Sequence, residues 1–222
     1  MEQLARNNLS DQLTQILGNQ IIRNELKSGE IIYENKIAKE WGVSRSPVRD
    51  ALRKLEQKRL VERTNSGSYM VTELTAEYIL NFYDTVNIIY QYAFSKAAIN
   101  ADESDIKGLK AALEKLEKSL DSWDLDLYLE GVTEYGETIL KAARNPMVEK
   151  IAMELMSSAE RIQYSTLTIL PDYLKNIVEL IRNSFQHIVD GKPEAAARDF
   201  AEFAETHKEI NLENVAGGQG SR

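Results

Sequence analysis

The stretch GVSRSPVRDALRKL, residues 42–55, places basic side chains at helical spacing beside a continuous apolar seam. Arginine presents a planar fork of N–H donors that matches guanine O6/N7 or a phosphate, and a serine hydroxyl can bond to either partner. At 100° per residue, Ser46, Arg49 and Arg53 fall nearly opposite the seam, while Arg45 falls at the N-terminal tip. Two interpretations fit this pattern: a helix that lies in a DNA groove, or a solvated surface helix.

The surrounding residues predict a helix-turn-helix. Ser44 is placed to cap the helix, Pro47 stands in its first turn, and the apolar positions form the buried seam. The seam consists of Val48, Ala51, Leu52 and Leu55. A short helix over 35–41 precedes it, joined through Gly42-Val43, and a longer helix capped by Ser10 begins the domain. In such a pair the second helix is the one that enters a major groove.

Two β-prone runs follow the basic helix, with a turn of small polar residues between them. Residues 60–63 and 68–71 flank Thr64-Asn65-Ser66-Gly67, which predicts a β-hairpin. A hairpin directly after a recognition helix is a wing, and its polar tip can reach a minor groove or a phosphate.

Residues 10–72 resemble the winged-helix domain of GntR-type bacterial transcription regulators. The segment SRSPVRDAL, residues 44–52, is similar to that family's S-R-x-P-V-R-E-A-L signature, with Asp50 in place of glutamate. The resemblance implies that Ser44, Arg45, Ser46 and Arg49 lie at the DNA interface. It also implies that Gly67 lets the wing approach the DNA backbone. Many relatives carry an arginine on the second helix, at the place where this chain has Asn35 or Lys36.

The charge distribution indicates two domains with different partners. The chain of 222 residues has a net charge of −8, but residues 1–72 carry +3 and residues 73–222 carry −11. It has no cysteine, which excludes disulfides and thiolate metal sites, and no apolar run long enough to span a bilayer. The start lacks the apolar core of a signal peptide, so we expect a cytoplasmic protein without membrane contact.

From residue 75 onward the pattern is helical, and it predicts six helices in an all-α bundle. The predicted fold is therefore mainly α: three helices and a β-hairpin, then the bundle. We expect a DNA-binding domain over 1–73, a helical domain over 74–212 and a disordered tail over 213–222.

The helical part resembles, more weakly, the FCD domain of the FadR-like branch, in its shorter six-helix form. The cues are AARNP after the sixth helix and DGKPEAAARDF between the last two helices. Many relatives hold a divalent metal there through an aspartate and three histidines. Counted along the sequence from Asn145 and Gly191, the positions of these four metal ligands correspond to Thr133, Glu137, Ile181 and Phe203 in this chain. None of the four is a histidine. An arginine and a glutamate common on the fourth helix fall near Val86 and Tyr90. We therefore expect no resident metal or other cofactor.

The chain's own histidines, His187 and His207, are expected at the surface or at an interface. An improvised metal site of Glu134, Glu137 and His187 is conceivable, but zinc or nickel would want more nitrogen ligands.

Polar and aromatic side chains predicted to face inward are the candidates for binding a small effector. Arg161 could receive a carboxylate or a phosphate, and a surface salt bridge is the alternative for it. The full candidate set is Asn87, Tyr90, Thr133, Glu137, Arg161 and Tyr164.

These observations lead to one main hypothesis and two alternatives. The main one is a homodimeric repressor that binds a pseudo-palindromic DNA operator and responds to a small metabolite, such as a carboxylate, in its helical domain. The first alternative is a constitutive dimeric DNA-binding protein without an effector. The second is an enzyme, for which acidic pairs such as Glu134/Glu137 offer little support because no catalytic motif accompanies them.

Overall fold

The computed structural model describes residues 2–167 and 174–218, and within these ranges helices alternate with one small sheet. The elements in chain order are α1 (Glu2–Ile22), β1 (Ile31–Ile32), α2 (Glu34–Glu40), α3 (Arg45–Gln57), β2 (Val61–Arg63), β3 (Tyr69–Val71), α4 (Ala76–Asn100), α5 (Glu103–Ser122), α6 (Leu125–Ala142), α7 (Pro146–Leu167), α8 (Leu174–Val189) and α9 (Pro193–Gly218). The predicted class, a winged helix-turn-helix followed by an all-α part, is confirmed. None of the described helices is long and apolar enough to cross a membrane.

Backbone contacts divide the chain into two units. The first, called here the N-terminal unit, comprises Met1–Leu74 together with Glu154–Ser165 from α7. The second, the helical unit, comprises Thr75–Met153 and Thr166–Arg222. The sequence-based division at 73/74 did not include the α7 segment in the N-terminal unit, because local patterns do not reveal which distant helix a segment packs against.

In the N-terminal unit a three-stranded antiparallel sheet accompanies three helices. The strand order is β1-β3-β2, so the hairpin strand β3 lies in the middle. Its Tyr69 pairs with Ile32 on one side and Arg63 on the other. The apolar faces of α1 and α3 share one core with the sheet, in which Leu17, Leu55 and Tyr69 are nearly inaccessible to solvent.

Two predictions near the ends of the chain are wrong. Ser10 does not cap α1, because the helix formers at 2–6 extend that helix back to Glu2 and leave Ser10 buried within it. The Ser10 carbonyl accepts a hydrogen bond from Thr14 Oγ1 at 2.8 Å. At the other end, α9 continues to Gly218, so the expected disorder does not hold for residues 213–218. The predicted start of α8 at Pro171 and the tail after 218 lie outside the described residues.

In the helical unit α5 and α6 approach each other closely at a glycine. A Cβ atom at Gly131 would stand 2.8 Å from Leu116 Cγ and 3.3 Å from the Ala112 carbonyl oxygen. A Cβ at Gly108, on the facing helix, would meet only the Thr138 side chain, at 3.3 Å. An added methyl group at Gly131 would clash with the backbone and with Leu116, whereas one at Gly108 would meet only a side chain that can move.

We predict that Gly131→Ala lowers the free energy of unfolding by about 1–3 kcal/mol, because overpacking outweighs the gain in helix propensity. Urea denaturation followed by circular dichroism measures this change. Gly108→Ala is the matched control and should be neutral or stabilising. Equal stability of the two variants would show that the α5–α6 contact does not need a glycine.

Candidate nucleic-acid interface

Helix α3 presents an apolar seam to the core and a polar face to solvent. Val48, Ala51, Leu52 and Leu55 are all fully buried, as the sequence predicts. Arg45, Ser46, Arg49 and Arg53 are exposed on the same helix. Because the helix cannot rotate without exposing the seam, the packing fixes which side chains are offered to a ligand.

Two of the exposed arginines of α3, Arg49 and Arg53, have acidic neighbours. Arg49 directs both Nε and Nη2 at Oε2 of Glu34, each at 3.4 Å, and Glu34 stands at the start of α2. Arg53 Nη1 lies 3.8 Å from Oδ1 of Asp50 on its own helix. Such exposed pairs contribute little to stability. They restrict the positions of the guanidinium groups and can yield to a stronger anion such as a phosphate.

The residues flanking α3 are exposed but differ in detail from expectation. Ser44 occupies the N-cap position, yet its side chain makes no capping hydrogen bond in the described structure, so the predicted capping role is wrong. The turn holds its geometry through Gly42, whose φ is +64°. Asn35 and Lys36 are exposed on α2, within the same helix-turn-helix.

The wing turns at Gly67. The Gly67 amide donates to the Thr64 carbonyl at 2.9 Å, and its φ of +83° suits glycine. A Cβ here would meet no atom within 4 Å, so the turn is open to solvent and available to a DNA backbone. At the end of the hairpin next to the turn, Arg63 Nη2 donates a hydrogen bond to the Tyr69 hydroxyl at 2.8 Å.

Thr72, directly after β3, anchors the wing within the N-terminal unit. Its hydroxyl donates to the Arg59 carbonyl at 2.9 Å, and its own carbonyl accepts from Arg161 Nη1 at 2.7 Å. Arg161 is only 4% exposed. Sequence analysis proposed Arg161 as an effector ligand, whereas the structure uses its guanidinium to hold the end of the wing.

The six predicted effector residues are not brought together as one set. Arg161 and Tyr164 belong to the N-terminal unit, and the other four belong to the helical unit. There Tyr90 stacks on Phe200, with ring centroids 5.0 Å apart. Burial, reinforced by the nearby Glu137 carboxylate, raises the pKa of the Tyr90 phenol well above its usual range.

The remaining two candidates of the helical unit, Asn87 and Thr133, are half-buried. Asn87 Oδ1 accepts a hydrogen bond from Gln91 Nε2 at 2.9 Å, on the same helix. Asn87 therefore already has a polar neighbour one turn away, and an incoming ligand would compete with it.

The positions counted for a metal carry few metal-binding groups. Of Thr133, Glu137, Ile181 and Phe203, only Glu137 offers a carboxylate, and none offers a nitrogen ligand. Phe203 instead packs on the His207 ring, with centroids 4.1 Å apart. Within the described ranges, no three His, Cys, Asp or Glu residues are grouped so that they could hold a metal ion.

The improvised metal site is also not formed, because its members have separate partners. Glu134 Oε1 lies 2.7 Å from Lys115 Nζ, and Glu137 Oε2 lies 3.6 Å from Lys141 Nζ. His187 is half-buried, and its Nδ1 lies 2.7 Å from Asp199 Oδ2.

A buried polar network near the end of α9 escaped the sequence analysis. His207 was expected at the surface or at an interface, but it is 1% exposed and its Nδ1 lies 3.0 Å from the Phe203 carbonyl. One turn later, Asn211 Nδ2 donates to the Tyr83 hydroxyl at 3.2 Å, and Asn211 Oδ1 accepts from Thr166 Oγ1. The four-residue spacing of Phe203, His207 and Asn211 places them on one helix face and was the available signal.

A helix-turn-helix with a wing and an exposed arginine face, followed by a helical domain, is the architecture of a bacterial transcription regulator. Residues 9–71 match the family described as bacterial regulatory proteins, gntR family, and residues 82–206 match the FCD domain. The FCD match alone covers more than half of the chain. The chain therefore belongs to the GntR family, in the branch that carries an FCD domain, and the resemblance noted in the sequence is confirmed.

Similar proteins agree with this assignment. The gluconate operon transcriptional repressor of Bacillus subtilis (strain 168) is 30% identical over 131 residues, covering 59% of this chain and 54% of the repressor. The galactonate operon transcriptional repressor of Escherichia coli (strain K12) is 25% identical over 170 residues, covering 68% and 73%. The chain spans about half the length of the first relatives it matches. These relatives are named as transcriptional regulators or repressors.

Among solved structures, E. coli McbR/YncC superposes with a TM-score of 0.79 at 18% identity, covering 93% of this chain and 98% of that one. At this identity the similarity concerns the fold alone.

The buried His207 predicts a pH-dependent stability. Burial lowers the pKa of the His207 imidazole from 6.5 to about 4, so the unfolded chain binds a proton more readily than the folded one. Its contribution is fully present above pH 6.5 and is lost as the pH falls toward 4. The shift corresponds to a loss of up to about 3 kcal/mol in the free energy of unfolding.

Urea denaturation at several pH values between 7 and 4 measures this loss. His207→Phe keeps an aromatic ring on Phe203 and should flatten the pH dependence. His187→Gln, the control, removes the other histidine and should leave the His207 component in place. A His207→Phe profile parallel to that of the wild type would contradict the assignment.

Proposed function

We propose that this protein is a dimeric, operator-binding transcriptional repressor whose DNA binding responds to a small metabolite. The observation that carries the proposal is the exposed arginine face of α3, fixed opposite a fully buried seam within a winged helix. Such a helix enters the major groove, and each arginine fork can make a bidentate contact with a guanine. A protein with this task acts where the bacterial chromosome is, which is the cytoplasm.

The proposed contacts fall into two groups. Arg45, Ser46 and Arg49 read base edges or adjacent phosphates, and Ser44 and Arg53 contact the flanking backbone. Asn35 and Lys36 on α2, and Gly67 at the wing tip, contact phosphates. Two copies of the chain read the halves of a pseudo-palindrome, since operator symmetry follows protein symmetry.

For the effector we propose a small hydroxylated carboxylate. The support is the naming of two similar proteins after the gluconate and galactonate operons. The four helical-unit candidates, Asn87, Tyr90, Thr133 and Glu137, are preferred over Arg161, because that guanidinium is bonded to the Thr72 carbonyl. We propose that the domain works without a resident metal, since the counted positions supply a single carboxylate.

A constitutive regulator without an effector is the second candidate. It is favoured by the packing of the helical unit, where aromatic rings fill the space between α4 and α9. Phe200 has its ring centroid 5.0 Å from Tyr90 and 5.1 Å from Phe94. A ligand entering this region would have to displace these rings.

We predict that Arg49→Ala weakens specific operator binding while the protein stays folded. Losing a bidentate base contact costs about 1–3 kcal/mol, which is up to a hundredfold in affinity. The operator is first selected from a random DNA library, and binding is then measured by fluorescence anisotropy at several salt concentrations. Arg182→Ala removes an exposed arginine from α8 and is the matched control. Unchanged binding by Arg49→Ala would contradict the assignment of α3 as the recognition helix.

A thermal-shift screen tests the effector proposal. Purified protein is combined with sugar acids, other small carboxylates, neutral sugars and divalent metals. A ligand at a hundredfold excess over its Kd should stabilise the fold by about 2.7 kcal/mol. We expect a response to a sugar acid and none to zinc or nickel. A strong metal response would contradict the metal-free proposal, and silence across the organic ligands would favour the constitutive regulator.

A further inference from the structure

Thr72 ties the end of the wing to the turn that follows the recognition helix α3. Its amide donates to the Leu60 carbonyl at 3.1 Å, and its hydroxyl donates to the Arg59 carbonyl at 2.9 Å. The Leu60 amide in turn donates to the carbonyl of Leu55, within α3, at 3.0 Å. A displacement of Thr72 would therefore move both the wing and the end of α3.

The turn after α3 depends on such contacts because its backbone is in an unfavourable conformation. Arg59 has a φ of +58°, a region that residues other than glycine seldom adopt. A conformation of this kind persists only where the surrounding structure holds it in place. The hydrogen bond from the Thr72 hydroxyl to the Arg59 carbonyl is one of the bonds that hold it.

Thr72 itself is held by Arg161. The Arg161 guanidinium donates to the Thr72 carbonyl at 2.7 Å, and both residues are buried. A hydrogen bond from a charged donor is shorter and stronger than one between neutral groups. Without the guanidinium, the same carbonyl would keep the more distant Ser28 hydroxyl, at 3.5 Å. The position of Thr72 is therefore set mainly by Arg161.

The presence of an arginine at this place favours a role in positioning over a role in stability. A buried ionic group can often be replaced by well-packed apolar residues with little loss of stability. An apolar side chain cannot hold a carbonyl oxygen in one place, however, because its contacts have no preferred direction. What the guanidinium supplies is a directed bond to the end of the wing.

Arg161 lies outside the part of the sequence that matches the winged-helix family. That match covers residues 9–71, whereas Arg161 lies within residues 82–206, which match the FCD domain. Backbone contacts nevertheless place the segment Glu154–Ser165 in the same unit as α3 and the wing. A side chain from the second domain of the sequence thus completes the winged helix of this chain.

We propose that Arg161 is a positioning residue for DNA binding. Through the Thr72 carbonyl it fixes the wing so that its tip, residues 64–67, contacts a phosphate while α3 lies in the major groove. Phosphate contacts set the register of a protein on the duplex, so a displaced wing weakens binding to the operator. The inference rests on the proposed function, since it requires a protein that binds DNA.

The first test compares two buried polar contacts made by the same helix. Arg161→Met removes the guanidinium, and the control Thr166→Val removes a hydroxyl that donates to Asn211 within the helical unit. Binding to the operator selected by the wild type is measured by fluorescence anisotropy at several salt concentrations, and circular dichroism verifies that each variant is folded.

We expect Arg161→Met to raise the Kd for the operator about tenfold, as the loss of one hydrogen bond can. The slope of log K against log salt should fall by about 0.9 for each phosphate contact that is lost. Thr166→Val should have a lower thermal midpoint but the wild-type Kd and slope. An unchanged Kd in folded Arg161→Met, or equal losses of affinity in the two variants, overturns the proposal.

The second test uses a charge at the wing tip to report whether the tip lies at the DNA. Asn65 is exposed in the turn of the wing. Asn65→Asp should raise the Kd of the wild-type protein, because it brings a carboxylate close to phosphates. In the Arg161→Met background the wing is displaced, so the same change should have a smaller effect. Additive losses overturn the proposal, and so does an Asn65→Asp variant that binds as the wild type does.

A variant at the other end of the contact keeps the proposal testable if Arg161→Met does not fold. Thr72→Val removes the hydroxyl that donates to Arg59 and changes no charge. We expect the same direction of change as for Arg161→Met, with weaker operator binding and a smaller salt slope. Wild-type binding by Thr72→Val overturns the proposal.

Hydrogen exchange without DNA separates this inference from the proposed function. In Arg161→Met the amides of residues 60–72 should exchange faster than in the wild type, because the Thr72 carbonyl has been released. Unchanged exchange overturns the inference even if the Kd rises. A wild type that binds no DNA refutes the proposed function, and this inference with it. If the wild type binds its operator and folded Arg161→Met binds it equally well, this inference alone is refuted.

Discussion

The burial of the apolar seam of α3 is the constraint on which the N-terminal unit depends. Val48, Ala51, Leu52 and Leu55 are withdrawn completely from solvent, so the helix has one rotational position. Fully burying side chains of this size contributes about 1.5–3 kcal/mol for each valine or leucine. Rotating the helix would expose these side chains and lose that free energy. The packing of the core therefore fixes the face of α3 on which Arg49 lies.

The acidic neighbour of Arg49 restricts the position of its guanidinium group before an anion binds. Glu34, at the start of α2, reaches Arg49 across the turn, so the two helices of the motif share one ion pair. The pair costs little to break because both groups are accessible to water. When DNA binds, the arginine exchanges its weak contact with Glu34 for a contact with a phosphate of a highly charged polyanion. Because such binding releases counterions from the DNA, the association is sensitive to salt.

Local patterns were sufficient to predict the elements but not their partners. The seam of α3, the hairpin and the order of the helices follow from spacing and turn residues that act within a few positions. His207 was misplaced, and the Thr72 partner of Arg161 was not foreseen, because the environment of a buried polar side chain depends on residues from elsewhere in the chain. Arg161 donates a hydrogen bond to the carbonyl of Thr72, which lies 89 residues away in the sequence. No local sequence pattern around either residue predicts this hydrogen bond. Asn211 lies on a face that helical spacing could have identified, but its partner Tyr83 could not be found in this way.

The α7 segment within the N-terminal unit has a consequence for how this protein is made. Residues 154–165 complete that unit, so its final structure cannot form on the ribosome until most of the chain has been synthesised. A nascent chain ending at residue 74 lacks the guanidinium that holds the end of the wing. The N-terminal unit is therefore completed late in synthesis. A prematurely terminated chain would contain the recognition helix but would lack the α7 segment that holds the end of the wing.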